Sequence, residues 1–465
     1  MSDNAQIEPA GAATDPERSF GVDEAFVRAC DQALAEDRIE ELDAMLSNLH
    51  ASDMADVIEE LAGENRLKLL EYLRGRFDPE LLAHLDYVVR EDVLEALPAE
   101  EVAAAITELD TDDALDVFED IPAEDQAQVL EQLSPSDRAL LEQALTYPEE
   151  SAGRLMQREL VTVPKDWSVG NTIDYLRERA ARLPRDFYEI YVVDDDRKPV
   201  GTIPLSRLMR NQRDVRIDDI MLTDVRSAQV EMDQEDVALM FSQYALVSAP
   251  VVNEGGQIVG VITADDVVHV IHEEAEEDIM RLGGVREDNF YEAVLETTRA
   301  RFSWLLVNLC TAIVASMVIG LFDAAIEKVV ALAVLMPIVA SMGGNAGTQT
   351  LTVAVRALAM KELTATNAAR IVGKEVIVGG INGLLFALLM GGIAWGWFGD
   401  TTMGLVIGVA MIVNLLVAGF AGVAIPIVLQ RMKVDPAVAS AVVLTTVTDV
   451  VGFLAFLGLA ALVLL

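Results

Sequence analysis

Five long apolar runs fill the last third of the chain, and each has at least the roughly 20 residues that a helix needs to cross a bilayer. Lys and Arg gather before the first run and in the second-to-third and fourth-to-fifth connections. The positive-inside rule therefore places the N-terminal domains in the cytoplasm and the C-terminus outside. The pattern predicts a polytopic α-helical domain of the cell (inner) membrane over residues 301–465. The predicted spans are approximately Phe302 to Phe322, Val329 to Val355, Val376 to Phe398, Met403 to Leu429, and Val438 to Leu464.

Short amphipathic helices are predicted from residue 23 to residue 150. Two 25-residue segments, beginning at Leu49 and Leu109, align without a gap, and each contains two helix-period stretches. Helix pairs of this kind cannot bury their apolar faces singly, so they stack. The pattern predicts an acidic, all-α helical solenoid. Residues 1–22 are polar, lack a signal-peptide core and are predicted to be a disordered tail.

A second internal repeat lies within residues 151–271. The segment that begins at Tyr191, YVVDDDRKPVGTIPLSRLM, aligns with PVVNEGGQIVGVITADDVV, which begins at Pro250, 59 residues later. Each copy contains an apolar strand, a polar turn, a second strand and a helix start. The repeat resembles a tandem pair of CBS modules, which implies an α/β fold.

In the CBS family an adenine nucleotide such as ATP binds between the modules, and its ribose is held by a Gly-x-x-Thr-x-x-Asp run. Gly260, Thr263 and Asp266 match that run, whereas the first copy lacks the Thr and Asp. The resemblance therefore implies one nucleotide site at most, with Thr263 and Asp266 as ligands. The alternative is that these two residues cap the last helix of the module.

Charge is distributed unevenly along the chain. The net charge is −42, and residues 298–465 contribute +2, so the first 297 residues carry −44. This excludes a nucleic-acid-binding surface, which would be basic, and favours either solubility or attraction of cations. The acidic run at residues 112–125 is interpreted as a solvated helix face or as weak divalent-cation ligands. Cys30 and Cys310 indicate neither a disulfide scaffold nor a metal cluster.

Residues 272–300 are predicted to form a connecting helix between the soluble part and the membrane domain. Its acidic beginning, which includes Glu274, Glu277 and Asp278, suits a helix start. Carboxylates that face an acidic solenoid repel one another unless cations lie between them. Cation binding on this helix would therefore lock a compact arrangement.

The second predicted span is unusually polar, because it carries glycines and amides within an apolar run. Polar or irregular backbone survives at membrane depth only where protein covers it or water fills an adjacent cavity. We therefore expect a glycine-broken helix that lines a pore. The alternative is that Gly343 and Gly347 form a small-residue face for helix packing. The positions concerned are Pro337, Gly343, Gly344, Asn345, Gly347 and Gln349.

Asp449 lies about halfway along the fifth span, where a carboxylate costs roughly 2.5 to 3.5 kcal/mol on insertion scales. It either meets a cation in a wet cavity or is a structural group bonded to hydroxyls such as Thr445, Thr446 or Thr448. Ca²⁺ needs about six to eight oxygen ligands, whereas Mg²⁺ retains waters and needs few protein ligands. A symmetric homodimer would bring two copies of Asp449 to one axis. Hydrated Mg²⁺ in a homodimeric pore is the hypothesis that these residues favour.

The order of acidic helical domain, CBS pair, connecting helix and five spans resembles the MgtE magnesium channel family over nearly the whole chain after the tail. The residues that carry the resemblance are the Pro337 to Gln349 group and the fifth-span pattern Asp435-Pro436 followed by Thr446, Asp449 and Gly452.

That resemblance implies that Asp449 is the principal ion-site residue and that Asn345 and its neighbours line the pore, together with Thr445. It also implies regulatory Mg²⁺ bound by the connecting helix, at Glu277, Asp278 and Glu274, with closure of the pore at high internal Mg²⁺. Ala441 stands where some relatives carry Asn, which bears on selectivity.

Two alternatives to a magnesium channel stay open: a membrane-anchored cation or nucleotide sensor without transport, and a transporter of other divalent cations such as Co²⁺ or Mn²⁺. A sensor would not require Asp449 or the polar second span. An enzyme is not expected, because the sequence contains no P-loop, no His-rich metal motif and no nucleophile motif.

Overall fold

The computed structural model describes residues 21–61, 63–76, 78–184, 187–285 and 294–464. The chain divides into two compact units, Met1–Val270 and Ile271–Leu465. Residues 1–20 of the predicted disordered tail lie outside the described residues.

The first unit begins with a stack of short helices, as the repeat predicts. Its core is one continuous cluster of apolar residues that includes Leu42, Val57, Leu82 and Val117. The two aligned segments each fold as a helix pair, α3 with α4 and α8 with α9, so the predicted solenoid is confirmed. The helices are α1 (Glu24–Ala35), α2 (Ile39–Leu46), α3 (Ala51–Glu60), α4 (Gly63–Leu73), α5 (Glu80–His84), α6 (Tyr87–Ala96), α7 (Ala99–Glu108), α8 (Thr111–Glu119), α9 (Gln126–Gln132) and α10 (Pro135–Ala144).

Two three-stranded sheets follow, with the same topology in each. The middle strand pairs in parallel with the first strand and antiparallel with the third. Each sheet has a register shift at the same place, between Val192 and Val193 in one copy and between Val251 and Val252 in the other. The predicted α/β tandem repeat is therefore confirmed to the level of single residues. The strands are β1 (Thr162–Pro164), β2 (Glu189–Val193), β3 (Pro199–Pro204), β4 (Ala228–Gln229), β5 (Ser248–Val252) and β6 (Ile258–Thr263), and the helices among them are α11 (Val169–Glu178), α12 (Leu205–Met209), α13 (Ile217–Ile220) and α14 (Gln234–Tyr244).

The second unit is helical. Within the part of it that the structure describes, five helices are long and apolar enough to cross a membrane, which agrees with the number of predicted spans. A short helix separates the first two of them. The helices are α15 (Ala264–Gly283, which begins in the first unit), α16 (Val294–Gly320), α17 (Asp323–Lys328), α18 (Ala331–Ala359), α19 (Ala368–Phe398), α20 (Thr401–Arg431) and α21 (Pro436–Leu464).

The predicted connecting helix over residues 272–300 is wrong in its bounds. The helix begins at Ala264, directly after β6, and ends at Gly283, where Gly284 adopts a φ of +74°. The acidic residues from Glu273 onward therefore lie in the middle of α15 and do not start a helix. No Gly or Pro interrupts the sequence before Gly283, so the last CBS helix simply continues. Residues 286–293 lie outside the described residues.

The predicted break in the second span is also wrong. Helix α18 is continuous over 29 residues, with Pro337 inside it. None of its glycines has a positive φ. In hydrocarbon a broken helix would leave backbone groups unpaired, and here Gly343 and Gly347 provide close helix contacts instead.

Candidate functional site

One face of α18 is polar and is not covered by other described residues of the chain. Ser341, Asn345, Thr348 and Thr352 recur at intervals of three or four residues and are exposed. Asn345 Nδ2 donates to Ser341 Oγ over 3.3 Å, and the two Thr hydroxyls donate to backbone carbonyls one turn earlier. Pro337 lies one turn before Ser341 and is likewise exposed. The Thr hydroxyls are therefore satisfied within the helix, whereas the amide of Asn345 is unfavourable against lipid unless protein or water lies beside it.

The opposite side of α18 packs against α20 and α21. A methyl group on Gly343 would overlap the amide of Asn414, and one on Gly347 would lie 3.0 Å from Leu444 Cδ1. Both glycines are buried, so the structure favours the packing alternative for them over pore lining. Among the other residues predicted to line a pore, Gln349 is exposed and Gly344 is half-buried, with nothing within 4 Å of a Cβ built on it.

Asp449 is the fourteenth of the 29 residues of α21 and is partly exposed. Its carboxylate makes no hydrogen bond or ion pair with any described residue. The hydroxyls that could have held it donate elsewhere: Thr445 to Ala441 O, Thr446 to Val442 O over 2.7 Å, and Thr448 to Leu444 O over 3.1 Å. The structural-carboxylate alternative is therefore not supported. Thr445 is half-buried on the same helix, one turn before Asp449.

Sequence reasoning missed Asn414, a fully buried amide in the middle of α20. Its Nδ2 donates to Val339 O of α18 over 2.8 Å, while its Oδ1 has no partner among the described residues. Gly343 of α18 and Gly452 of α21 lie against it. The sequence signal that could have identified Asn414 is its position as the one amide in the apolar run MIVNLLVAGF.

The half-buried face of α15 carries the predicted regulatory ligands. Glu277 forms an ion pair with Arg281, and Arg281 Nη1 also lies 2.5 Å from Asp435 Oδ2. Burial raises the pKa of Asp278, and the nearby charge of Asp435 raises that pKa further. Glu274 lies half-buried one turn earlier on the same face.

A cation at this place would find few protein ligands. Nowhere in the described parts of the chain do three or more His, Cys, Asp or Glu side chains form a group that could hold a metal ion. Asp278 and Asp435 repel each other when both are ionised, and a cation would relieve that repulsion. A cation bound here would have to keep most of its own waters, as Mg²⁺ often does.

The two residues predicted to bind a nucleotide, Thr263 and Asp266, are hydrogen-bonded to each other. Asp266 Oδ2 accepts hydrogen bonds from Thr263 Oγ1 over 2.6 Å and from Thr263 N over 3.3 Å, at the start of α15. A Cβ on Gly260 would lie 2.8 Å from Gln157 O, so protein already covers this glycine. This geometry supports the helix-capping alternative. Nucleotide binding by Thr263 and Asp266 stays a prediction.

Asp266 also lies close to the acidic solenoid. Asp112, at the start of α8, is only 8% exposed, and its Oδ1 has no partner among the described residues. Burial, followed by the charges of Asp266 and Asp113, raises the pKa of Asp112 well above its usual range. Burial, followed by the charge of Asp266, raises the pKa of Asp113 to about 6. The interpretation of this run as a solvated helix face is therefore wrong for Asp112.

Comparison with known proteins identifies the family of the chain. Residues 336–459, which contain Asn345, Asn414 and Asp449, match the MgtE family model, described as a divalent cation transporter. Residues 49–150 match the MgtE intracellular N domain, and residues 152–214 and 217–273 match the CBS domain. The chain is 33% identical over 449 residues to the magnesium transporter MgtE of Thermus thermophilus, covering 95% of this chain and 99% of that protein. The chain belongs to the MgtE family.

A second curated relative agrees with this assignment. The magnesium transporter MgtE of Bacillus subtilis is 30% identical over 428 residues, which cover 92% of this chain and 95% of that protein. A crystal structure described as the cytosolic domain of the Mg²⁺ channel MgtE in complex with ATP is 31% identical, covering 52% of this chain and 99% of that chain, with a TM-score of 0.49. The predicted resemblance to MgtE is confirmed.

Proposed function

We propose that this MgtE-family chain transports Mg²⁺ through a path lined by the polar face of α18 and by Asp449 of α21. The observation that carries the proposal is the state of Asp449: it lies at mid-helix, is partly exposed and has no partner among the described residues. A carboxylate at that depth is costly unless water or a cation meets it. Its role would be to attract the ion and to hold it through retained waters.

A homodimer completes this path. The uncovered amides of α18, on Asn345 and Gln349, are unfavourable against lipid and require protein or water beside them in a bilayer. A two-fold axis next to α18 would place the polar faces of two copies, and two Asp449 carboxylates, around one wet conduit. The net charge of −44 on the first 297 residues, against +2 on the rest, would raise the local cation concentration where the soluble part lies. The positive-inside rule places that part in the cytoplasm and the C-terminus outside.

Regulation by internal Mg²⁺ is supported by the end of α15. Leu282 packs against a cluster that includes Leu351 of α18 and Leu444 of α21, so α15 contacts the helices that would line the path. Mg²⁺ between Asp278 and Asp435 would strengthen this contact, and high internal Mg²⁺ would close the path.

A single adenine-nucleotide site at Thr263 and Asp266 is a second proposal. Binding of a fluorescent ATP analogue that Asp266→Asn leaves unchanged would refute it.

Flux into proteoliposomes tests the proposed transport. The purified chain is expected to admit Mg²⁺, and Asp449→Asn is expected to abolish the flux without changing the amount of folded protein. Glu327→Gln is the matched control, since it removes an exposed carboxylate from α17. Unchanged flux in Asp449→Asn would refute the assigned path, and Mg²⁺ binding by the wild-type chain without flux would favour a sensor. Equal flux of Co²⁺ or Mn²⁺ would favour a less selective transporter.

A further inference from the structure

We propose that Asn414 is a positioning residue of the ion path. Its buried amide fixes the separation of α18 and α21, and with it the placement of Asp449 relative to the polar face of α18. This inference rests on the proposed function, because it concerns the same path. Asn414 itself is fully buried and does not line the path.

The first support is steric. Asn414 of α20 lies between a glycine of α18 and a glycine of α21. A Cβ built on Gly343 would be 2.8 Å from Asn414 Oδ1, and a Cβ built on Gly452 would be 2.8 Å from Asn414 Nδ2. The amide therefore fills the space that two missing side chains leave, and its size sets how closely the three helices approach.

The second support is that the junction contains an amide where an apolar group would suffice for packing. A Leu side chain has the same number of heavy atoms and the same branching, and it would bring no buried acceptor. Asn414 makes one interhelical hydrogen bond, from Nδ2 to Val339 O, and leaves Oδ1 unpaired among the described residues. A buried polar atom without a partner is unfavourable, so space filling alone does not explain this residue.

The two glycines that contact Asn414 lie close in sequence to the proposed path residues Asp449 and Asn345. Gly452 follows Asp449 by three residues on α21, and Gly343 precedes Asn345 by two residues on α18. Positions three residues apart are neighbours on a helix surface. A change at Asn414 therefore shifts the turn that carries Asp449 and the turn that carries Asn345. The bond to Val339 O fixes the direction of contact as well as the distance.

Positioning and space filling predict different kinetics. Residues that orient the ligands of a metal ion typically alter affinity or activity by about 10- to 100-fold when they are changed. We therefore expect Asn414→Leu to raise the half-saturating Mg²⁺ concentration of flux by about tenfold or more. A purely structural role would lower the amount of folded protein and leave the half-saturating concentration unchanged.

A size-swap experiment separates the two roles. Gly343→Ala alone is expected to disturb the junction, because its methyl group overlaps the Asn414 amide. The double variant Gly343→Ala/Asn414→Ala removes the overlap and is expected to recover folded protein, measured by size-exclusion chromatography, while the half-saturating concentration stays raised. Gly452→Ala probes the junction from α21. Gly458→Ala is its matched control on the same helix, since a Cβ there lies 3.8 Å from its nearest neighbour, Phe322 Cζ.

Flux measured against Mg²⁺ concentration in proteoliposomes distinguishes a positioning role of Asn414 from a space-filling role. A wild-type half-saturating concentration in Asn414→Leu, or in the double variant if Asn414→Leu does not fold, would overturn the inference. This failure differs from failure of the proposed function, which would appear as wild-type flux in Asp449→Asn. Raised half-saturating concentrations in both Asn414 variants, with Gly458→Ala unaffected, would support the positioning role.

Discussion

Arg281 Nη1 lies 2.5 Å from Asp435 Oδ2 and joins the end of α15 to the residue that precedes α21. The other oxygen of the same carboxylate, Oδ1, accepts a hydrogen bond from Ala437 N over 2.7 Å, so Asp435 also caps α21. Arg281 additionally pairs with Glu277. The Arg281 guanidinium thus already neutralises part of the acidic group at which regulation by Mg²⁺ is proposed. These contacts provide no positive partner for Asp278.

Asp278→Asn is expected to weaken closure by internal Mg²⁺. The substitution removes one of the two carboxylates that a bridging cation would join, so the Mg²⁺ concentration that halves the flux should rise by about tenfold. Flux at graded internal Mg²⁺ in proteoliposomes measures this. Glu276→Gln, an exposed change on another face of α15, is the control. Equal responses of the two variants would contradict a cation site at Asp278.

Arg281→Gln is expected to make the docking of α15 more dependent on Mg²⁺. Without the guanidinium, the carboxylates of Glu277, Asp278 and Asp435 repel one another unless a divalent cation lies between them. Limited proteolysis should therefore cut near Gly283 faster than in the wild type when Mg²⁺ is absent, and at the wild-type rate when Mg²⁺ is in the millimolar range. Equal cleavage of variant and wild type without Mg²⁺ would show that the Arg281 pair does not hold α15.

The homodimer is testable by disulfide cross-linking along α18. Ser341→Cys, on the polar face, is expected to form an intermolecular disulfide in a Cys310→Ser background, because the two polar faces meet at the proposed axis. Val353→Cys lies about 120° away around the helix at 100° per residue and is also exposed. It should remain unlinked. Preferential linking through position 353 would place the axis elsewhere.

The solenoid should lose stability as the pH rises through 6, owing to Asp113. The pKa of this carboxyl is raised from 3.8 to about 6, so the folded chain holds a proton that the unfolded chain has released. The resulting contribution disfavours folding by about 3 kcal/mol near pH 7.5 and shrinks toward zero near pH 4. Asp113→Asn should therefore stabilise the protein at pH 7.5 and have little effect at pH 4. Denaturation of both proteins at the two pH values measures this, and a constant difference between them would contradict the shift.

Periodicity explains what the sequence could predict. Helix period and the two internal repeats located the solenoid, the sheets and the five spans, because each depends on local patterning of apolar residues. The sequence left the state of Asp449 open, since three nearby hydroxyls were possible partners; only the structure shows that Thr445, Thr446 and Thr448 donate to backbone carbonyls instead.

The remaining features depend on residues far apart in sequence. Gly343 and Gly347 suggest a break, but only the positions of Asn414 and Leu444 on other helices show that they allow close packing. Asn414 follows no spacing pattern, so its contacts could not be read from α20 alone. The start of α15 was missed because the CBS helix continues into acidic sequence without a stop signal.

The uncovered polar face of α18 has a consequence for assembly. A lone chain diluted in lipid would present the amides of Asn345 and Gln349 to acyl chains, which offer no hydrogen bonds in return. Subunit separation in a bilayer should therefore be penalised strongly, and thermal tolerance should depend on protein density in the membrane.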